Sequence, residues 1–402
     1  MDARQMSAMV EATRLTRQGR LAEATALIQQ TLTSSPAPRR APDGQGPGEA
    51  GGASGRHPTP SPLLPACRGR QLGQGPSGWT HGLSAFPSRR VQDPGLAHRP
   101  AAPAPAAKWP AGRFDAFSYT GAAGTRAYRL YVPTGSTGGP LPLVVMLHGG
   151  TQDAATFAAA TGMNDLAERQ SFLVAYPEQP SSANPGKYWN WFVPGHQRRD
   201  AGEPSLIAGI TRQVMDRYPV DGTRVYVAGF SAGGAMAAVM AAVYPDLYAA
   251  VGVHSGLAYA VARDVVSAFA VMKHGPSRPA RSPANPLPLI VFHGDRDATV
   301  AYGNAGCLID QVVAAESPDH GSVTTPTAVT NGGQVPGGHA YTRTSYRSAA
   351  GTTVAEFWTV HQGGHGWSGG DPVGSYTDPR GPSASAEFVR FFDEHPAGAP
   401  AR

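Results

Sequence analysis

Apolar and polar positions follow two different periods from about residue 114 onward. Alternating or continuous apolar runs predict strands, and runs with a period near 3.6 predict helices between them. The predicted strands lie at 114–120, 125–132, 143–147, 172–176, 225–228, 249–254, 289–292, 340–347 and 354–361. The predicted helices lie at 153–160, 164–170, 204–218, 232–244, 304–315 and 383–394. Strands that alternate with helices predict an α/β fold, with a mostly parallel central sheet and helices on both faces.

The same pattern divides the chain into three parts. Residues 1–35 carry apolar positions at helical spacing and predict a short helical N-terminal segment. Residues 36–110 hold fifteen prolines and twelve glycines, and predict a disordered linker. Such a composition offers too little apolar surface to offset the entropy of ordering the chain. Residues 111–396 carry the alternating strands and helices and are predicted to form one α/β domain.

The excess of basic residues lies in the N-terminal part of the chain. Residues 1–110 hold 13 Lys and Arg against 6 Asp and Glu, whereas residues 111–402 hold 20 against 22. Because the basic excess lies outside the α/β domain, we expect no nucleic-acid-binding domain. No apolar run is long enough for a transmembrane helix, and no secretory signal is visible. The two cysteines, Cys67 and Cys307, leave open whether they pair.

The junction between a strand and a helix at 225–244 is the most informative stretch. It contains the pattern G-x-S-x-G, formed by Gly229, Ser231 and Gly233. A strand, a sharp turn and a helix form the context in which this pattern exposes a nucleophilic serine above a sheet. Small residues two positions before and after the serine let the strand and the helix approach closely. Ser231 is therefore a predicted nucleophile, with an ordinary tight turn as the alternative.

Three further motifs follow predicted strands, and ligands of open α/β sheets bind at such strand ends. In chain order they are a glycine loop at 148–151, an acidic pair at 295–297 and a glycine-rich loop around His365. Ser231 falls between the first two. The order of glycine loop, Ser, Asp and His is that of an α/β-hydrolase triad. We therefore predict that His365 is the base that takes the proton of Ser231.

Two carboxylates compete for the third position of this triad. An acid there holds the imidazole in the right tautomer and stabilises its charged form. We favour Asp297, because the spacing H-G-x-x-D-x-x-V runs from residue 293 to residue 300. Asp295 is the alternative.

Acyl transfer also needs preorganised N–H donors for the negative charge of its tetrahedral intermediate. The backbone amide of Ala232, directly after the nucleophile, is one predicted donor. The second donor is expected in the glycine loop, at Gly150 or Thr151, where glycine lets the backbone approach a substrate.

Three tryptophans, Trp189, Trp191 and Trp367, lie in loops after predicted strands. We predict that they form an apolar substrate-binding surface, with a role in the core of these loops as the alternative. The sequence contains no cluster with metal-ligand spacing and no phosphate-binding glycine loop, so no metal and no cofactor are predicted.

These residues resemble the polyhydroxybutyrate-depolymerase family of esterases, which includes feruloyl and acetyl-xylan esterase relatives. The resemblance extends from about residue 114 to residue 395, and is carried by the segments 147–152, 189–192, 226–245, 253–256, 293–297 and 364–367. It implies an α/β-hydrolase fold and a triad of Ser231, Asp297 and His365. The implied substrate is an ester or polyester: a hydroxyalkanoate oligomer, a short-chain ester or, as the alternative, a carbohydrate acyl ester.

The sequence departs from this family at two positions. Many members have cysteines where this chain has Gly150 and Tyr188, so a disulfide at that place is absent. The family is often secreted, which implies an extracellular location, whereas the missing export signal leaves a cytoplasmic one as the alternative. A non-catalytic binding protein with the same fold is the second class of function, but such proteins usually lack a triad residue. Oligomeric state is not predicted.

Overall fold

A computed structural model describes residues 112–134, 139–276, 282–316 and 326–398 of the chain. The predicted segments 1–35 and 36–110, and Cys67 with them, lie outside the described residues. None of the helices in these ranges combines the length and the apolar character that crossing a bilayer needs. The described chain is built around one ten-stranded sheet.

This sheet is parallel in its centre and antiparallel at both edges. Its strands are β1 (Arg113–Gly121), β2 (Gly124–Val132), β3 (Leu141–Leu147), β4 (Leu173–Pro177), β5 (Val220–Phe230), β6 (Ala250–His254), β7 (Leu289–Gly294), β8 (Thr327–Gln334), β9 (Ala340–Arg347) and β10 (Thr353–Val360). Their spatial order is β1-β2-β4-β3-β5-β6-β7-β10-β9-β8. The six strands from β4 to β10 in this order pair in parallel, and the hairpins β1–β2 and β8–β9 extend the two edges. The predicted mostly parallel sheet is confirmed.

Helices cover both faces of the sheet. They are α1 (Ala154–Thr161), α2 (Met163–Gln170), α3 (Gly202–Arg217), α4 (Ala232–Val243), α5 (Val265–His274), α6 (Gly303–Val313) and α7 (Ala384–Asp393). A short parallel pair, β11 (Trp367–Ser368) and β12 (Thr377–Asp378), follows the main sheet.

The alternation of side chains along β3 shows how the two faces are built. Leu143 and Val145 join the core that includes residues of α3, α4, α5 and α6, whereas Val144 and Met146 join the core that includes residues of α1, α2 and α7. Successive strand residues point to opposite faces. Because both faces are buried, the central strands read as continuous apolar runs rather than as alternating ones.

Strand β8 and helix α5 were not predicted from the sequence, and neither were the short strands β11 and β12. Strand β8 contains Asn331, Gly332 and Gly333, residue types that disfavour strands, and it forms by pairing with β9. Helix α5 begins with a capping box in which Asp264 and Ser267 bond each other's backbone N–H groups. That D-x-x-S pattern is a local signal from which the helix could have been found.

Helix α7 closes the second face through its aromatic residues. Phe388 is fully buried, and its ring lies 5.7 Å from that of Phe292 and 5.5 Å from that of Trp367, between centroids. A Cβ atom at Gly252 would lie 2.7 Å from the Phe388 ring, so the glycine makes room for it. The helix is therefore fitted to the sheet by shape as well as by apolar area.

We expect Phe388→Ala to lower the free energy of unfolding by about 3–5 kcal/mol, because it removes a buried ring and leaves a cavity. Denaturant unfolding of the variant and the parent protein measures this difference. Val329→Ala is the control, since Val329 is 42% exposed on β8, and its loss should stay within about 0.5 kcal/mol. Equal losses for the two variants would contradict the described packing of α7.

Candidate active site

Ser231 occupies a strained turn between β5 and α4. Its backbone has φ 54° and ψ −118°, a conformation that residues other than glycine rarely adopt. A Cβ atom at Gly229 would lie 2.3 Å from the carbonyl oxygen of Gly233, and one at Gly233 would lie 2.0 Å from that of Leu147. Both contacts are with backbone, which cannot move away cheaply. The glycines are therefore needed here because strand and helix approach each other at van der Waals distance.

A chain of hydrogen bonds connects Ser231, His365 and Asp297. His365 Nε2 lies 2.9 Å from Ser231 Oγ, and His365 Nδ1 lies 2.7 Å from Asp297 Oδ2. A carboxylate only accepts, so Nδ1 carries the proton that it donates to Asp297. Nε2 then presents its lone pair to the hydroxyl of Ser231, which is the arrangement in which an imidazole can accept the serine proton. The structure thus brings the three predicted triad residues together.

The surroundings of Asp297 favour its ionised form. Its Oδ1 accepts hydrogen bonds from the backbone N–H groups of Thr299 and Val300, both at 2.8 Å. Burial alone would raise the pKa of Asp297, but hydrogen bonds from His293 and His365 outweigh this effect and hold the pKa far below its usual range. A charged acid beside the imidazole is what stabilises an imidazolium.

Asp295, the alternative acid, has different partners. One of its oxygens accepts from His361 Nδ1 at 2.9 Å, and the other from the backbone N–H of Gln362 at 2.6 Å. These bonds connect the end of β7 to the start of the loop that carries His365. Asp295 therefore contributes to the shape of this loop, and Asp297 is the acid that contacts the imidazole.

The predicted oxyanion donors differ in whether their backbone N–H group already donates to a protein acceptor. The N–H of Thr151 donates to the carbonyl of Gly186 at 2.7 Å, so the expectation that Thr151 supplies a donor is wrong for this arrangement. Within the described ranges no protein acceptor binds the amide of Gly150 or that of Ala232. Ala232 is the first residue of α4, and the first N–H groups of a helix have no partner within it. Ala232 and Gly150 remain as the candidate donors.

The ring of Tyr188 holds the glycine loop in place. A Cβ atom at Gly150 would lie 2.1 Å from this ring, and one at Gly186 would lie 2.4 Å from it. The tyrosine is therefore enclosed between two glycine backbones, at the place where the resembled family often has a disulfide. Packing of one aromatic ring joins the two loops here.

Two of the three tryptophans do not form a surface. Trp189 and Trp367 are 0% and 1% exposed, so the prediction that they bind substrate is wrong. Trp189 Nε1 donates to the carbonyl of His148 at 3.1 Å, and Trp367 Nε1 donates to Ser385 Oγ at 3.0 Å. These bonds to buried acceptors turn both indoles inward. Only Trp191 of the three lines the cavity beside Ser231.

This cavity has a volume of about 250 Å³ and an almost entirely apolar wall. The residues around it are Asn184, Tyr188, Trp191, Phe192, Ser231, Ala232, Leu257, Val265, Ala268, Phe269 and Met272. None of these side chains is charged. The cavity therefore suits an uncharged, apolar group attached to a carbonyl that reaches Ser231.

Glu203 is a buried residue that positions a loop of the site and that the sequence analysis missed. This carboxylate, at the start of α3, is 1% exposed and accepts hydrogen bonds from both the backbone N–H and the side-chain amide of Asn190, each at 2.7 Å. Burial would raise the pKa of Glu203, but hydrogen bonds from His196 and Asn190 lower it below its usual value. Glu203 thus fixes the backbone next to Trp191. Nothing local in the sequence marks a glutamate at a helix start as buried.

His254 is the second residue that was missed. Its Nε2 accepts from the backbone N–H of Ser368 at 2.9 Å, and its carbonyl accepts from the N–H of Ser231 at 2.9 Å. Its ring stacks on that of Trp367, with centroids 5.0 Å apart. Burial holds the pKa of His254 well below its usual value. This neutral histidine joins the serine turn to the segment just after His365.

The sheet topology and the geometry of the site are characteristic when they are taken together. A mostly parallel sheet, a serine in a strained strand-to-helix turn, and an acid and a histidine at later strand ends are the features of an α/β-hydrolase. An acetyl xylan esterase from Aspergillus awamori shares the fold, with a TM-score of 0.54 and 19% identity over 70% of this chain and 99% of that chain.

Residues 126–317 match the model of the family described as esterase PHB depolymerase. The poly(3-hydroxyalkanoate) depolymerase C of Paucimonas lemoignei is 36% identical over 251 residues, which are 59% of this chain and 57% of the depolymerase. The feruloyl esterase B of Neurospora crassa is 34% identical over 127 residues, 31% of this chain and 42% of the esterase. The chain thus spans about half the length of these relatives. Over residues 126–317 the chain is similar to the esterase PHB depolymerase family, and its fold and site are those of an α/β-hydrolase.

His148, in the glycine loop, generates a prediction about pH. Its Nε2 accepts from the N–H of Gln179 at 3.0 Å and its Nδ1 lies 2.7 Å from the carbonyl of Gly149, so the ring is held neutral. Burial lowers the pKa of His148 from 6.5 to about 4. Between these two values the unfolded chain binds the proton and the folded chain does not. The free energy of unfolding should therefore fall as pH drops through this window, by about 1.4 kcal/mol per pH unit from this residue.

Denaturant unfolding of the parent protein and of His148→Gln at several pH values between 7.5 and 4.5 measures this slope. The variant should be less stable at every pH. Around pH 5, however, its free energy of unfolding should change less steeply with pH, by about 1.4 kcal/mol per pH unit, which is the contribution of one bound proton. The free energy of unfolding of each protein is referred to its own value at pH 7.5, so that only the slopes are compared. Identical slopes would show that His148 is not held neutral.

Proposed function

We propose that this domain hydrolyses carboxylic esters, with Ser231 as nucleophile, His365 as general base and Asp297 as the acid that orients the base. The observation that carries the proposal is the continuous hydrogen-bond chain from Ser231 Oγ through His365 to Asp297 Oδ2, at 2.9 and 2.7 Å. A protein that only binds a ligand needs no such alignment of an imidazole with a hydroxyl. The complete chain therefore favours an enzyme over a non-catalytic binding protein.

The chemistry follows from the positions of the protons. Ser231 Oγ attacks the ester carbonyl while His365 Nε2 takes the hydroxyl proton, and the imidazolium is stabilised by the charged Asp297. The C–O bond to the alcohol then breaks, and His365 returns the proton to the leaving oxygen. Water attacks the resulting acyl-enzyme with the same base, which releases the acid and restores Ser231.

The negative oxygen of each tetrahedral intermediate requires donors that are already in place. We assign this role to the amides of Ala232 and Gly150. Ala232 lies at the N-terminus of α4, where the helix dipole adds a partial positive charge. Removal of one such donor in a comparable site costs roughly 10²–10³ in kcat.

The apolar wall of the cavity supports a substrate with an uncharged acyl group. The similarity to a poly(3-hydroxyalkanoate) depolymerase favours hydroxyalkanoate oligomers and short-chain esters. Similarity to a feruloyl esterase and to acetylxylan esterases makes a carbohydrate acyl ester the second candidate. The extracellular location that the resemblance implies is part of this proposal.

The first test concerns the nucleophile. A fluorophosphonate probe should label the parent protein once and should not label Ser231→Ala. The variant should lose at least about 10³-fold in kcat on p-nitrophenyl acetate, because the triad acts as a unit. Near-normal turnover by a folded Ser231→Ala would refute the assignment.

The substrates are compared in a panel of p-nitrophenyl acetate, p-nitrophenyl butyrate, 3-hydroxybutyrate oligomers, feruloyl sugars and a long-chain triglyceride. We expect the first three to be hydrolysed best. Feruloyl sugars as the best substrates would favour the carbohydrate-esterase alternative. A preference for the triglyceride would contradict both.

The second test uses two matched aspartates. Asp297→Asn should lower kcat by about 10⁴-fold, since an amide no longer holds the productive tautomer of His365. Asp295→Asn makes the same chemical change on a residue that bonds His361 and Gln362, and should lower kcat by less than about 10-fold. Circular dichroism of both variants controls for folding. The reverse order of the two effects would make Asp295 the catalytic acid.

A further inference from the structure

We infer that helix α5 forms the wall of an acyl-binding site beside Ser231, and that Ala268 on this helix sets the length of the acyl chain that the site accepts. The inference rests on the proposed ester hydrolysis and specifies which part of the ester the cavity binds. It also names the residue whose size determines the selection.

Helix α5 presents its apolar stripe to the cavity. Val265, Ala268, Phe269 and Met272 all line it. Their spacing of i, i+3, i+4 and i+7 is that of one face of an α-helix. Such a stripe usually packs on the protein core. Here it borders a space that also reaches Ser231, so a group in this space would contact the stripe while bonded to the serine.

The position of His365 decides which end of the ester enters the cavity. The alcohol oxygen must lie near His365 Nε2, because it takes its proton from that atom. Among the described residues that line the cavity are Ser231 and Ala232, but not His365. The alcohol therefore leaves on the histidine side, and the cavity remains for the acyl group.

Helix α5 is capped at its N-terminus and bonded to residues 301–304 at its C-terminus. At its N-terminus, the Asp264 side chain accepts from the backbone N–H of Ser267 at 2.7 Å. At its C-terminus, the carbonyls of Val271 and Met272 accept from the Asn304 side chain at 3.0 Å and from the N–H of Ala301 at 2.6 Å. The bond from Ala301 satisfies a carbonyl that the helix end leaves open, whereas the carbonyl of Val271 also accepts from the N–H of Gly275 at 2.9 Å. A rigid wall gives the cavity a defined depth rather than an adaptable one.

Ala268 is the small residue of this wall. It is 4% exposed and contributes a single methyl group, so a larger side chain there would extend into the cavity. Ala270 lies two positions further along the same helix and is exposed. The two alanines therefore provide a matched pair, in which the same substitution enters the cavity at one position and solvent at the other.

The experiment compares Ala268→Leu with Ala270→Leu on esters of increasing acyl length. We expect Ala268→Leu to lower the ratio of kcat/KM for p-nitrophenyl hexanoate to that for p-nitrophenyl acetate by about 10-fold or more. Ala270→Leu should leave this ratio unchanged. Met272→Ala, which shortens a side chain of the same wall and so enlarges the cavity, should raise the ratio and keeps the test valid if Ala268→Leu folds poorly.

An isomeric pair of esters separates the two ends of the substrate. Ala268→Leu should slow ethyl hexanoate much more than hexyl acetate, because only the former carries its long chain on the acyl side. Equal loss on both esters, or an unchanged hexanoate-to-acetate ratio with acetate still hydrolysed, would overturn the inference alone. No hydrolysis of any ester by the parent protein would overturn the proposed function and the inference with it.

Discussion

The strained backbone at Ser231 determines how the surrounding strands and helix pack. A residue other than glycine in such a conformation costs of order 1–3 kcal/mol, and persists only when the surroundings over-determine it. Here the N–H of Ser231 donates to the carbonyl of His254, and its own carbonyl accepts from the N–H of Ala235. Glycines at 229 and 233 let β5, α4 and the end of β3 meet backbone to backbone. The Ala- and Gly-rich composition of α4 thus follows from the space that this turn leaves.

Histidines that are not the base hold the loops around this turn. His148 and His254 each accept one backbone N–H from a distant segment, through Nε2. A neutral imidazole offers a donor and an acceptor on opposite sides of a flat, largely apolar ring, so it can bridge two backbone groups inside a core. Burial lowers the pKa of both residues, which keeps the acceptor nitrogen free of a proton. His365 differs in that its acceptor nitrogen faces a hydroxyl.

Local patterns were sufficient to predict most of the fold and the order of the candidate triad. The apolar runs predicted the central strands, and motifs directly after them placed Ser231, Asp297 and His365 at one edge of the sheet. Strand β8 could not be predicted, because its glycines and polar residues form a strand only through pairing with β9. The same limit applies to side-chain direction in irregular loops. Trp189 and Trp191 are two residues apart, and contacts with distant groups decide which of them lines the cavity.

Those distant contacts also explain how the loop with Trp191 keeps its shape without a disulfide. Glu203 accepts three hydrogen bonds from Gln179 and Asn190, and hydrogen bonds to a charged group contribute about 1.5–3 kcal/mol each. Tyr188, in the same loop, lies against Gly150, so the loop that lines the acyl cavity also supports a candidate oxyanion donor. The proposed acyl binding and the proposed oxyanion stabilisation therefore depend on the packing of the same loop. A change that loosens this loop should therefore affect the binding of the acyl group and the stabilisation of the intermediate together, whereas a change in α5 acts on the acyl group alone.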